Sequence, residues 1–335
     1  MIKAFKNPLF LIGFVFITGL VITSFIYTSA VHNKVHQVMF LFGKNGNLEA
    51  ASPISPRWKL PFGTDRAGND MLSKILLGAK YTILGALSIA VFRMAMAIPI
   101  GILLGLYLKR YKKYISSLVD SFHFIPLTVI SFYILTPVLM EPEDGFRMGL
   151  FVRMFLEVII LAALTVPVIA VIIGNETGRM LRNEYIICAK TLGAGQWRLI
   201  IKHIIPGMKE KLFVLFGQQM MQALIVLSHL GYLKLFFGGS HVSMGGDDPP
   251  MSITYEWSGL IGDTFNYLHA AVWVPLTPII CFAITMIAVS FIIEGYVQAT
   301  TGHTHYFKRK KQKRNVQKIK SYPRKEEFQL VRKTS

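Results

Sequence analysis

Residues 182–206 read RNEYIICAKTLGAGQWRLIIKHIIP and lie between two long apolar runs. Asn183 suits a helix N-cap, and Glu184 follows at the positive end of the helix dipole. Ile186, Ala189 and Leu192 recur at helical spacing. Gly193 is placed to stop that helix as the residue beyond the C-cap, and Gly195 loosens the turn. A second amphipathic stretch carries Leu199, Ile200, His203 and Ile204, and Pro206 is expected to end it. The pattern predicts a short helix–turn–helix, basic on one face.

The runs around this hairpin belong in lipid. The chain has 335 residues, of which 53% are hydrophobic and 16% charged, and its mean hydropathy is +0.47. A soluble domain carries about 25% charged residues. Disorder over most of the length is excluded, because it requires low hydrophobicity. A disulfide scaffold is excluded as well, with only Cys188 and Cys281 present.

A membrane helix needs roughly 20 apolar residues. Runs without acidic or basic residues lie at Pro8–Val31, Tyr81–Leu108 (interrupted by Arg93), Ser121–Met140, Val158–Asn175, Leu212–Leu233 and within Thr264–Ile293. Six transmembrane helices are expected. Pro99, Pro126, Pro137, Pro167, Pro275 and Pro278 fall in these runs and are expected as tolerated kinks. The first run follows Lys3 and Lys6 and precedes Thr28-Ser29-Ala30. Its apolar core is long for a signal peptide and reads as an uncleaved anchor.

The basic residues orient the chain. With the N-terminus inside, the cytoplasmic segments hold twenty-five Lys and Arg and the outer segments ten. This matches the positive-inside rule, so both termini are expected in the cytoplasm. The net charge is +18, and most of it sits in the last thirty residues or so. That tail reads as a solvated segment on anionic lipid headgroups, not as a nucleic-acid arm. The expected organisation is residues 1–31 as cytoplasmic start and first helix, 32–80 outside, 81–300 as the core with its cytoplasmic loop at 176–211, and 301–335 as the basic tail.

Here the sequence resembles a known family. Glu184, Tyr185, Ala189, Leu192, Gly193, Ala194, Ile200, His203, Ile204 and Pro206 match the EAA loop of the integral membrane subunits of binding-protein-dependent ABC importers, in the dipeptide/oligopeptide/nickel branch. Cys188, Gly195 and Ile187 depart from it. A second block, residues 61–80, includes Gly63, Thr64, Asp65, Gly68 and Asp70 and resembles the GTD-x-x-GRD block of the second permease type. A third, residues 256–261, resembles the family's EWG block. The closing family pattern is degraded at residues 294–299. The resemblance covers about residues 58–300. It implies an all-α membrane protein with six transmembrane helices and an EAA-type coupling helix-turn-helix, the MetI-like fold of type I ABC importer permeases.

The resemblance also implies partners: a second homologous permease, two ATPase subunits and an extracytoplasmic substrate-binding protein, in a bacterial cell membrane. No phosphate-binding G-x-x-x-x-G-K-[ST] loop occurs. ATP and Mg are therefore expected on the partner ATPases, with no cofactor on this chain. The docking surface is expected at Glu184 to Lys202, including Arg198, with Gly193 as its turn. Closure of the ATPases would swing the hairpin and rock the packed helices between two arrangements.

Other residues keep two readings open. Arg93 lies inside a span and either faces the pathway or pairs with Glu157 or a partner subunit. Gln218, Gln219 and Gln222 cluster in the fifth span, and Gln218 and Gln222 are expected on one face, lining a polar pathway or bonding another helix. Gly101 and Gly105 predict close helix packing. Asp65, Asn69 and Asp70 could offer oxygen to calcium, but a tight turn with Asp70 capping the next helix fits the spacing better. His32 and His36 are four apart, and nothing supplies further metal ligands. A membrane enzyme is disfavoured by the absence of H-E-x-x-H and G-x-S-x-G. The expected function is a peptide importer permease, with nickel or metal-chelate import as the alternative cargo and a non-transporting scaffold with a basic tail as the alternative class.

Overall fold

The apolar runs become long helices in the computed structural model, which describes residues 4–301 apart from 33, 43–46, 108–113, 116, 118, 120–124, 143 and 242–249. The main helices are α1 (Pro8–Val31), α2 (Met71–Leu106), α3 (Leu127–Leu139), α4 (Leu150–Met180), α5 (Glu184–Thr191), α6 (Gln196–Leu199), α7 (Ile205–Tyr232), α8 (Trp257–Thr264) and α9 (Trp273–Thr301). Two small antiparallel pairs join them: β1 (Phe40–Phe42) with β2 (Leu48–Ala51), and β3 (Ser240–His241) with β4 (Met251–Ser252). The basic tail beyond residue 301 lies outside the described residues.

Among the described residues, five helices are long and apolar enough to cross a membrane: α1, α2, α4, the continuous run Gln196–Tyr232, and α9. The expected third span is represented by α3, an apolar helix of 13 residues. Residues 121–124, where that span was expected to begin, are not described.

The first span ends where the sequence places it, but others run past their charge-free windows. Helix α2 begins ten residues early, through Lys74 and Lys80, because Asp70 caps it there. Lys80 is buried and keeps its ammonium partnered, donating to the Thr28 hydroxyl at 2.6 Å and lying over the rings of Phe25 and Tyr81. A long amine placed this way satisfies its charge while its stem stays in apolar surroundings. Helix α4 likewise extends back to Leu150 through Arg153 and Glu157. Pro99, Pro137, Pro167 and Pro278 lie inside helices as expected. Pro126 instead caps α3, where no N–H is needed.

The most extensive helix–helix contact is that of α2 with α4. A methyl group at Gly101 would come within 2.6 Å of Ile173, and one at Gly105 within 2.6 Å of Thr177. The two glycines therefore let the backbones meet, as their spacing predicts. The main core lies between α2, α4, α7, α8 and α9, around Ile89, Leu161, Leu224 and Leu260. At one end of the bundle, Asn7 donates to Gln298 at 3.1 Å and Thr300 donates to Glu210 at 2.9 Å. The start of α1, the end of α9 and the base of the hairpin thus share one end of the molecule.

Candidate functional site

The hairpin is mounted on the bundle by a narrow buried stripe. Ile186, Leu199, Ile200 and Ile204 belong to one buried cluster with Met94, Ile169, Ile173 and Met208 of the long helices. Ala189 and Ala194 pack at the edge of the same cluster. The turn is built as its glycine predicts. Gly193 sits at φ +82°. Its N–H donates to the Lys190 carbonyl at 2.9 Å, and the Ala194 N–H donates to the Ala189 carbonyl at 3.0 Å. These are the paired bonds of a Schellman stop, which a side chain at 193 would strain. Asn183 occupies the N-cap position, although its side chain accepts no capping bond.

Two expectations for this stretch are corrected. Leu192 is not on the inward stripe but 87% exposed. Six residues beyond Ile186, at 3.6 residues per turn, it points about 120° away. Pro206 does not end the second helix. A π turn at Ile200–Ile204 carries α6 directly into α7, and the Ile205 N–H reaches back five residues to the Ile200 carbonyl. The widened turn shifts the carbonyls that a proline ring would otherwise meet, and Pro206 follows it at the second position of α7.

The opposite face of the hairpin is open. Trp197 is 77% exposed, and Tyr185, Ile187 and Ile201 are also exposed, as Leu192 is. Glu184, Lys190, Arg198 and Lys202 surround them in solvent. The Tyr185 ring lies 6.4 Å from that of His203. The Tyr107 hydroxyl donates to the Gln196 carboxamide oxygen, tying the end of α2 to the turn. Trp197 was within reach of the sequence, as an aromatic between polar residues on a short amphipathic helix.

A polar cluster lies in the membrane core. Arg93 is fully buried. Its Nε and Nη2 donate to the Leu161 carbonyl at 3.4 and 3.3 Å. Its Nη1 donates to the Gln219 carboxamide oxygen at 3.2 Å, the Gln222 carboxamide oxygen at 3.4 Å and the Gln219 carbonyl at 3.4 Å. Arg93 therefore does not pair with Glu157, whose Oε2 accepts from the Gly238 N–H at 3.0 Å. Gln219 and Gln222 line a cavity of about 720 Å³ between α3, α4 and α7, with Ile130, Leu164 and Val168 among its apolar walls. Gln218 does not share that cavity. It is exposed and lines a second one of about 490 Å³ with Glu176 and Lys211. Gln219, not Gln218, completes the cluster, because Gln219 and Gln222 lie three apart on the side of α7 that faces α2.

The far end of the molecule is tightly bonded within itself. Gly63 and Gly68 adopt positive φ of +69° and +77°. Thr64 Oγ1 accepts from the Ile54 N–H at 2.8 Å. Asp65 accepts from the Asn69 backbone at 2.8 Å and pairs with Lys74. Asp70 accepts from the Leu72 and Ser73 N–H groups, both at 3.2 Å, and from the Ser73 hydroxyl at 2.7 Å. The capping turn is thus the arrangement present. Among the described residues, no group of three His, Cys, Asp or Glu could hold a metal, the region of His32 and His36 included.

Beside this block, Trp257 is fully buried and its Nε1 donates to the Ile75 carbonyl at 3.0 Å. Its backbone N–H donates to Thr82 Oγ1 at 2.9 Å, locking α8 onto α2. Burial pushes the Glu256 carboxyl above its ordinary range, opposed by the Ser258 hydroxyl and nearby N–H groups. Burial likewise pushes Asp263 up to about 7, against the pull of the Ser252 N–H, Lys74 and Lys234.

A mostly helical, multi-pass membrane bundle carrying an exposed hairpin on one end fits the class of type I importer permeases, the MetI-like fold. The family model described as "binding-protein-dependent transport system inner membrane component" matches residues 97–301, and the chain belongs to that family. It is thus the membrane-embedded permease component of a binding-protein-dependent transporter, and permeases of this family work with ATPase and substrate-binding partners. The chain is similar to the peptide transport system permease protein SapC of Haemophilus influenzae, at 28% identity over 72% of this chain and 74% of the relative. It is also similar to the dipeptide transport system permease protein DppC of Alkalihalophilus pseudofirmus, at 24% identity over 87% and 84%. The glutathione transport system permease protein GsiD of Pectobacterium atrosepticum is 23% identical over 72% and 71%.

Proposed function

We propose that this chain is one permease of a heteromeric ABC importer for oligopeptides or dipeptides, forming half of the translocation pathway. Peptide cargo is supported by the names of the relatives, which include peptide, dipeptide and glutathione permeases. The partners are a second homologous permease, two ATPases and an extracytoplasmic substrate-binding protein. The chain itself is non-catalytic, and ATP and Mg are bound and used on the ATPases. It resides in a bacterial cell membrane with both termini in the cytoplasm, in contact with lipid and not with nucleic acid. The shared placement of the chain's two described ends beside the hairpin supports that orientation.

The observation that carries this reading is the hairpin. It is anchored by Ile186, Leu199, Ile200 and Ile204 and presents Leu192 and Trp197 outward. A rigidly rooted surface with exposed apolar anchors among charges is suited to dock in a cleft and transmit its movement. The coupling surface comprises Glu184, Tyr185, Ala189, Leu192, Gly193, Ala194, Arg198, His203 and Pro206. The block Gly63, Thr64, Asp65, Gly68 and Asp70 shapes the outer face toward the binding protein. The test is co-purification from native membranes, with mass spectrometry of what accompanies the chain. Wild type is expected to bring a second permease and two ATPases, and Gly193→Pro to lose the ATPases while keeping the permease. Absence of any ATPase with wild type, even after crosslinking, would count decisively against the importer reading.

A further inference from the structure

The Arg93 cluster lets the cavity beside it be read more closely, on the footing of the peptide-importer reading above. An arginine can only donate hydrogen bonds, so the oxygen of each neighbouring carboxamide must face it. The geometry agrees: Arg93 Nη1 reaches the carboxamide oxygens of both Gln219 and Gln222. Both amide nitrogens are therefore turned away from Arg93. Neither is among the buried polar atoms left without a partner, and both side chains line the 720 Å³ cavity.

Among the described residues, the rest of the wall is poor in competing polar groups. The one hydroxyl among them, that of Thr165, donates within its own helix to the Leu161 carbonyl at 3.3 Å. No acidic residue lines the cavity among the described residues. Of the described lining, one wall thus presents N–H donors with a buried guanidinium behind them, and the remainder is apolar. Such a wall matches hydrogen-bond acceptors and disfavours cations.

We propose that the carboxamide nitrogens of Gln219 and Gln222 bind the backbone carbonyl oxygens of a peptide passing through this cavity. Arg93 is the positioning residue that holds both amides in the donating orientation. It touches no cargo, since it is fully buried behind them. Recognition through backbone carbonyls is independent of side-chain sequence, which suits a permease whose selectivity is set by a separate binding protein.

The test uses the full transporter, with its binding protein, in proteoliposomes. ATP-driven uptake is measured for a tripeptide library and for the same library with one peptide bond replaced by an alkene isostere, which keeps the length but loses a carbonyl acceptor. Wild type is expected to favour the parent library by more than the binding protein alone does in equilibrium binding of the two libraries, and Gln222→Leu to lower parent uptake roughly tenfold and bring the uptake ratio down to the binding protein's own ratio. Gln222→Glu guards against a folding artefact, because its carboxylate can pair with Arg93 while presenting acceptors to the cargo, and the same loss of preference is expected. Arg93→Met is expected to collapse the ratio as well, whereas a purely structural arginine would lower both uptakes equally and leave the ratio unchanged. Wild-type transport with an undiminished preference in both Gln222 variants overturns the proposal alone. Failure of wild type to move any peptide overturns the peptide reading, and the proposal falls with it.

Discussion

Two regions at opposite ends of the bundle, the buried block around Asp70 and Trp257 and the hairpin, dispose of their polar and apolar groups in opposite ways. At the far end, Thr64, Asp65, Asp70, Glu256 and Trp257 are buried and bonded within the chain. At the hairpin end, large apolar side chains such as Leu192 and Trp197 stand in solvent. The first arrangement completes itself, since the buried donors and acceptors of these five residues find partners nearby. The second is incomplete, since clustered exposed apolar groups mark a surface meant to be covered. The difference separates a block that is finished within the chain from a surface that another molecule would finish.

Four changes would break or sharpen that contrast. The largest effect is expected from Trp257→Ala at the self-contained end. It removes a buried indole and its bond to Ile75, at a cost of about 3–5 kcal/mol in stability, measurable as a lowered thermal unfolding midpoint in detergent. At the other end, Trp197→Ala is expected to leave that midpoint unchanged. Its cost should appear as about 2 kcal/mol, or roughly thirtyfold, in ATPase affinity by titration with purified partner. A stability loss in Trp197→Ala, or weakened ATPase binding in Trp257→Ala without unfolding, would erase the distinction.

Asp263 supplies a pH test of the far end. Its carboxyl is raised from 3.8 to about 7 in the folded chain. The folded state therefore holds a proton that the unfolded state releases across that window. Stability is expected to fall as pH rises from about 4 to about 7, by at most about 1.4 kcal/mol per pH unit for one proton. Asp263→Asn should remove this component from the pH profile of unfolding. Smallest is Asp70→Ala, which deletes the cap of α2 at a cost of about 1 kcal/mol. It should raise amide exchange in the first turn of α2 and leave the hairpin unaffected.

Much of this architecture is legible in the chain, for identifiable reasons. The run Pro8–Val31 reproduces α1 because nothing charged interrupts it. Gly101 and Gly105 announce the α2–α4 contact because close backbones tolerate no side chain. Gly193 announces its turn because the left-handed region suits glycine. Elsewhere the reading fails where a charge or a proline is rescued by a neighbour. Lys80 is absorbed into α2 by Thr28 and two aromatic rings, and Pro206 by a π turn that no local signal announces. The candidate site divides in the same way. The hairpin is visible as a contiguous motif, whereas Arg93, Gln219 and Gln222 come from helices far apart in sequence.

The sequence by itself determined the membrane class, the run of apolar helices and the hairpin that interrupts them. These follow from local composition, periodicity and turn chemistry, which act over a few residues. Only the tertiary structure decided that Leu192 faces outward, that Arg93 pairs with carboxamides and carbonyls instead of Glu157, and that Gln219 takes the place expected of Gln218. Those outcomes depend on the rotation of one packed helix against another. No single segment encodes that rotation, because it is set by the fit of all the helices together.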